Sequence, residues 1–193
     1  MNTLKAIKKR ESVRKFKNKK PDWRNIIEAI DSTRYAPMAG NIFSLKFLIS
    51  QDSEKIKKIA RWSEQPFIAQ AKYIVIFVSN PKATQFYGER GKKYLTQQAG
   101  AAIQNFLLHL TEVGLSTCWI GHFNDEQIKT IFKMPEKTQI EAIFPIGYED
   151  KKFKKKKEKK PKGEIYKMLN FEEWGNSRMK KQEYIESRGP EGY

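Results

Sequence analysis

Arg10, Ser12 and Arg14 alternate in the run Arg10-Glu11-Ser12-Val13-Arg14. In an extended segment that alternation sends the three polar side chains to one face and Val13 to the other. Two guanidiniums with forked donors and a short hydroxyl between them suit a phosphate, although the same five residues also fit a solvated basic loop. A second stretch is Ala36-Pro37-Met38-Ala39-Gly40-Asn41. Pro37 and Gly40 set a tight backbone path, the small residues leave room for something flat, and the Asn41 amide can donate and accept. Taken alone it also fits an ordinary helix-to-strand loop. A third candidate is the segment Thr117 to Gly121, read as a short inward strand that stops at a glycine where a ligand can approach the backbone. Cys118 and His122 beside it invite redox or acid roles. The simpler readings are a buried small hydrophobe for Cys118 and a solvent-touching loop residue for His122. Phe86 to Gly91 forms a glycine-bounded aromatic stretch, either a mobile flap over a substrate or a plain surface loop.

These residues need elements to hold them. Ala99, Ala102, Ile103, Phe106, Leu110 and Val113 recur at helical spacing, and Ala101, Leu107 and Leu108 widen the apolar surface beyond one stripe. The pattern predicts a buried central helix with Thr96 as N-cap, ended by Gly114 in the left-handed conformation with Leu115 folding back. Its polar interruptions and length exclude a membrane span. Tyr73 to Ser79 is an almost unbroken β-branched and aromatic run, as expected of a central strand buried on both faces. Further strands are predicted at Leu45 to Ser50 and Thr138 to Gly147, where Pro145 suggests an edge or a bulge. Helices are predicted from Thr3 with Leu4 and Ile7 inward, from Asp22 with Trp23, Ile26, Ile27 and Ile30 inward, over Ser53 to Trp62, and after Asn124 or Asp125.

The 193 residues, 39% hydrophobic with one cysteine, suit a single domain with extensions and exclude a disulfide framework. No second cysteine or histidine stands at zinc-ligand spacing, and no metal site is expected. No long apolar leader is evident near the start, so a reduced, cytoplasmic setting is expected. The formal charge of +16 is concentrated at two places: residues 1–24 and residues 151–162 each carry a net +8, and the rest of the chain is balanced. Any anionic ligand is therefore expected near those segments. The lysine run 151–162 is low in complexity and reads as solvated. Ile165, Tyr166, Met168, Leu169, Phe171 and Trp174 form an apolar segment that needs a surface, and packing on a partner subunit would supply one.

Three stretches in this order, Arg10 to Phe16 (RESVRKF), Ala36 to Asn41 (APMAGN) and Gly114 to Gly121 (GLSTCWIG), resemble the nitroreductase family of FMN-dependent oxidoreductases. The Tyr87 to Gly91 loop, Ile103 to Asn105 (IQN) and Glu172 to Gly175 (EEWG) fit the same resemblance. It implies an α+β fold, a central, mainly antiparallel sheet flanked by helices, with FMN at a homodimer interface. Residues 1–175 would be the FMN-binding domain, including the lysine-rich 151–162, and residues 176–193 a polar tail. By the same analogy Arg10, Ser12 and Arg14 hold the ribityl and phosphate end, with Glu11 counted among the cofactor-binding residues. Pro37, Met38, Ala39 and Asn41 would arrive from the other subunit. The backbone of Ile120 and Gly121 would face the flavin, with the Ile120 N–H near N5, and Lys157 or Lys159, ahead of Pro161, would grip the phosphate. The sequence departs from the family pattern at Ile42, Phe43 and Ser44, where Gln-Pro-Trp is frequent, at Gln98, where an acidic residue is frequent, and at Lys159, where arginine is usual.

The implied activity is electron transfer from NAD(P)H to nitroaromatic, quinone or similar acceptors in a ping-pong hydride cycle, the flavin carrying the redox step. Two rivals remain at this stage. One is a basic nucleic-acid-binding protein acting through its lysine-rich segment. The other is a member of the same fold that carries or modifies flavin with little reductase activity.

Overall fold

The run Tyr73–Ser79 is apolar at almost every position because both of its faces are covered. It forms strand β2, buried along its whole length, in the computed structural model, which describes residues 2–153 and 163–178. The chain separates into two compact units, Met1–Lys155 and Lys156–Tyr193. In the first, β2 is the middle strand of an antiparallel sheet, between β1 (Leu45–Ser50) and β3 (Gln139–Ile146). Strand alternation sends Tyr73, Val75 and Phe77 to one layer and Ile74, Ile76 and Val78 to the other. An irregularity between Phe77 and Val78 shifts the pairing to β3 by one residue, so that Phe77 faces Ala142 and Val78 faces Ile140.

The first layer is closed by α2 (Trp23–Asp31) and α4 (Glu89–Glu112), the second by α3 (Ser53–Trp62) and α5 (Asp125–Phe132). Phe77 is central to the first layer, with its ring 5.1 Å from Phe106, 5.0 Å from Phe144 and 4.9 Å from Phe47 in edge-on arrangements. Such pairs add about 0.5–1.5 kcal/mol each beyond the area they bury.

The helix starts follow from side-chain caps. Asp22, Asp52 and Asn124 each accept a hydrogen bond from a backbone N–H in the first turn of the helix that follows. The end of α4 is the expected glycine stop: Gly114 has φ +78°, the Leu115 N–H donates to the Leu110 carbonyl at 2.8 Å, and the Gly114 N–H to Thr111 at 3.3 Å.

Four local expectations need correction. Thr96 does not cap α4, which begins at Glu89 after Gly88; Thr96 lies inside it, and its hydroxyl donates to the Lys92 carbonyl. The Phe86–Gly91 loop is accordingly shorter, because Glu89 to Gly91 already belong to the helix. In α1 (Thr3–Lys9) Asn2 rather than Thr3 is the N-cap, and Ala6 rather than Leu4 or Ile7 is buried, Leu4 being 59% and Ile7 45% exposed. In α2 Ile26 and Ala29 take the buried positions, leaving Trp23 and Ile27 exposed.

The fourth concerns Thr117 to Gly121, which is not a continuous strand. Ser116 bridges Gly147 and Ile120 bridges Ile143 in one antiparallel register, which sets Cys118 opposite Pro145. Proline has no N–H to donate, so the ladder fails at its middle pair while both ends hold. Pro145 pairs with Ile74 of β2 without cost, because residues 143 and 147 of the same parity direct their bonds away from β2.

In the second unit a short 3-10 turn spans Ile165–Met168, and Ile165, Tyr166, Met168, Leu169 and Trp174 are exposed.

Candidate functional site

The Arg10–Arg14 segment leaves α1 in an extended path. Its Val13 N–H donates to the Thr117 carbonyl at 2.9 Å, and Ser12 and Thr117 form a parallel bridge. On its other side Lys17 donates to Tyr148 at 2.8 Å and Asp150 donates to Lys15 at 2.9 Å. Val13 is buried while Ser12 and Arg14 stay exposed, as alternation requires; Phe16, of the same parity as Arg14, is buried too, so the alternation ends there. The Arg14 guanidinium lies over the Phe67 ring at 6.0 Å, which confines the side chain while its charge remains available.

This pairing brings the phosphate-suited residues to the strand-like segment that ends at Gly121. The Cys118 thiol records the convergence: burial pushes its pKa above the ordinary thiol value, and the Arg14 charge, a hydrogen bond with Ser12 and the Arg10 charge each pull it down. Cys118 is buried among Ile120, Ile128 and Ile143, so its role is that of a small hydrophobe, and His122 is exposed.

One assigned donor is in the wrong place. The Ile120 N–H is committed to the Ile143 carbonyl at 3.0 Å, and the Ile120 carbonyl accepts the Ile143 N–H at 3.0 Å. Ile120 therefore cannot present its N–H to a ligand, and its side chain is buried as well. Gly121 is the first residue past that pair. It is exposed, and a Cβ built on it would meet nothing within 4 Å. The donor set and this open backbone edge fit a ligand that joins a phosphate to a flat ring.

The Pro37–Asn41 stretch is held from elsewhere. Gly40 and Asn41 have φ +59° and +56°, and the Tyr87 hydroxyl lies 2.5 Å from where a Gly40 Cβ would stand. Gln98 of α4 bonds Ile42 and Ser44 just beyond. Neither Tyr87 nor Gln98 carries a local signal for this work, since both act across more than 45 positions of sequence. Thr117, whose buried hydroxyl lacks a hydrogen-bond partner among the described residues, was equally invisible as a neighbour of Ser12. Lys157 and Lys159 lie outside the described residues.

The profile of the nitroreductase family matches residues 7–67 and 60–148. An iodotyrosine deiodinase of Thermotoga neapolitana is 25% identical over 170 residues, covering 74% of this chain and 86% of that protein. A provisionally named nitroreductase of Methanocaldococcus jannaschii is 35% identical over 85 residues, and that match spans 44% of this chain and only 42% of the relative's length. Among solved structures, an FMN-dependent nitroreductase from Clostridium difficile R20291 superposes with a TM-score of 0.74 at 22% identity, over 89% of this chain and all of that one, a likeness of fold. The chain belongs to the nitroreductase family.

Proposed function

We propose that this protein is an FMN-dependent oxidoreductase that takes electrons from NAD(P)H and passes them to a small oxidised acceptor, working as a homodimer. The observation that carries this reading is the convergence of Arg10, Ser12 and Arg14 on the segment that ends at the open Gly121 backbone. When bound, the flavin would supply the hydride chemistry that links the nicotinamide to the acceptor, in a ping-pong order.

The residues of this chain bind and orient. Arg10 and Arg14 neutralise the phosphate, and Ser12 adds a short donor between them. The Gly121 N–H, freed by the bonding of Ile120 to Ile143, takes the role of donor to the ring edge. No side-chain nucleophile is required, consistent with a buried, protonated Cys118. Pro37 to Asn41 would complete the site of the other subunit, and Lys157 and Lys159 would add charge at the phosphate. The exposed apolar residues Ile165, Tyr166, Met168 and Leu169 suit burial in a dimer.

The test is a visible spectrum of the protein after FMN addition and gel filtration, followed by initial-rate kinetics. A retained flavin spectrum at a dimer elution volume, with parallel double-reciprocal lines for NAD(P)H against a nitroaromatic or quinone, is the expected result. The acceptor panel includes iodotyrosine, because one relative bears the name of a deiodinase. A colourless protein whose nucleic-acid affinity falls steeply with salt would overturn the reading. Retained flavin without NAD(P)H turnover would leave a flavin carrier instead.

A further inference from the structure

Gln98 is buried in α4, where a polar side chain needs partners for all its groups. Its Oε1 accepts the Ser44 backbone N–H at 3.2 Å and the Ser44 hydroxyl, and its Nε2 donates to the Ile42 carbonyl at 2.9 Å. The partners dictate the orientation of the amide. A backbone N–H can only donate and a carbonyl can only accept, so the oxygen faces Ser44 and the nitrogen faces Ile42. A carboxylate would satisfy Ser44 but aim a second bare oxygen at the Ile42 carbonyl.

Ile42 and Ser44 follow directly on Gly40 and Asn41, both of which hold left-handed φ values. Asn41 is of a type that tolerates that conformation, and its surroundings hold it there. Seven residues along α4, two turns on and so on the same face, the Asn105 side-chain amide donates to the Ser32 carbonyl at 3.3 Å, ahead of the loop. One helix thus grips the Ser32 to Ser44 segment at both ends.

We propose that Gln98 is a positioning residue of the cofactor site, and that the side chain at this position must be neutral and able both to donate and to accept. Its amide fixes the exit of the Ala36 to Asn41 loop and makes a matched pair with Ser44, which supplies both donors to Oε1. The inference rests on the reading of that loop as part of the flavin site.

Gln98→Glu tests it in the full chain. Burial against a carbonyl raises the carboxyl pKa above the ordinary range, and in its protonated form glutamic acid donates to Ile42 as the amide does. The variant should therefore match the native protein at pH 5 and fail as rising pH ionises the group. Hydrogen exchange over residues 38–45 and FMN affinity are measured at pH 5 and pH 8.5, with circular dichroism as the control for folding. We expect exchange protection to be lost and the FMN Kd to rise about tenfold at the higher pH, the effect of roughly one hydrogen bond. Gln98→Met, similar in size but with neither bond, should show the defect at both pH values. Should Gln98→Glu unfold at pH 8.5, Ser44→Ala replaces it; removing one of two donors, it should speed exchange at residues 42–45 and weaken FMN binding at both pH values.

The proposal is overturned if exchange and affinity in Gln98→Glu, or in Ser44→Ala where it replaces it, match the native protein at both pH values. It is also overturned if exchange responds while FMN affinity does not. A native protein that takes up no FMN would instead defeat the proposed function, while the exchange comparison still reports whether Gln98 holds the loop.

Discussion

Ile120 and Ile143 exchange both of their backbone hydrogen bonds, each at 3.0 Å. The pair closes the ladder on the last residue before Gly121, whose N–H has no backbone hydrogen bond among the described residues. Gly121→Pro removes that N–H, puts a ring carbon in its place and fixes φ, and Ile120, already extended in its bridge, has the conformation a following proline demands. Thermal stability of the apoprotein should change by no more than about 1 kcal/mol, the size of a proline effect at a site that can adopt its φ. FMN affinity or the rate of flavin reduction should fall about tenfold, the value of one cofactor hydrogen bond. Stopped-flow absorbance and a melting curve measure the two separately.

Gly40 combines a left-handed φ with the Tyr87 hydroxyl where its Cβ would be. Gly40→Ala should cost about 1–2 kcal/mol from the backbone conformation, plus a smaller contact cost because a tyrosine hydroxyl can shift. Tyr87→Phe in the Gly40→Ala background should recover only the contact part. A double-mutant cycle by chemical denaturation separates the two contributions.

Phe77 touches Phe47, Phe106 and Phe144 at the centre of the first core layer. Phe77→Ala should destabilise by about 3–5 kcal/mol, through lost burial and the cavity left behind. Phe86→Ala, at an exposed ring that meets the Tyr87 ring at 4.1 Å, should cost about 1 kcal/mol or less. Paired denaturation curves check the contrast.

The Cys118 thiol has a raised pKa, first because of burial, and so stays protonated at neutral pH. Alkylation by iodoacetamide should be slow at pH 7 and accelerate only above the ordinary thiol range. Ser12 and the two arginines oppose the shift, so Ser12→Ala should raise the pKa further and slow alkylation at pH 9. The linkage has a matching sign. Stability contributed by the neutral buried thiol is present below the unfolded pKa and lost as pH rises through the folded one, a loss that Cys118→Ala should abolish. Mass-spectrometric labelling rates and alkaline melting curves report on both.

Much of the fold was legible in the sequence because it depends on local periodicity. YIVIFVS at Tyr73–Ser79 reads as a strand covered on both faces, and Gly114 as the stop of a helix, and both are found so. Arg10, Ser12 and Arg14 were readable as one face because alternation is a property of any extended chain. The resemblance carried by RESVRKF, APMAGN and GLSTCWIG then led to the family before any contact was known. The start of α4 was misread because Thr96 is a good cap by type, whereas the helix runs through it from Glu89.

What the sequence by itself determined was therefore the set of elements, the family and the phosphate-suited run. The tertiary structure decided which backbone donor is open, because the commitment of Ile120 depends on a strand more than 20 residues away, and Pro145 interrupts the same ladder opposite Cys118. It also decided that Gln98 reads Ile42 and Ser44, and that Tyr87 covers Gly40. Those relationships are long-range hydrogen bonds and close approaches. Periodicity assigns a residue to a face of its own element, but only packing decides what that face meets.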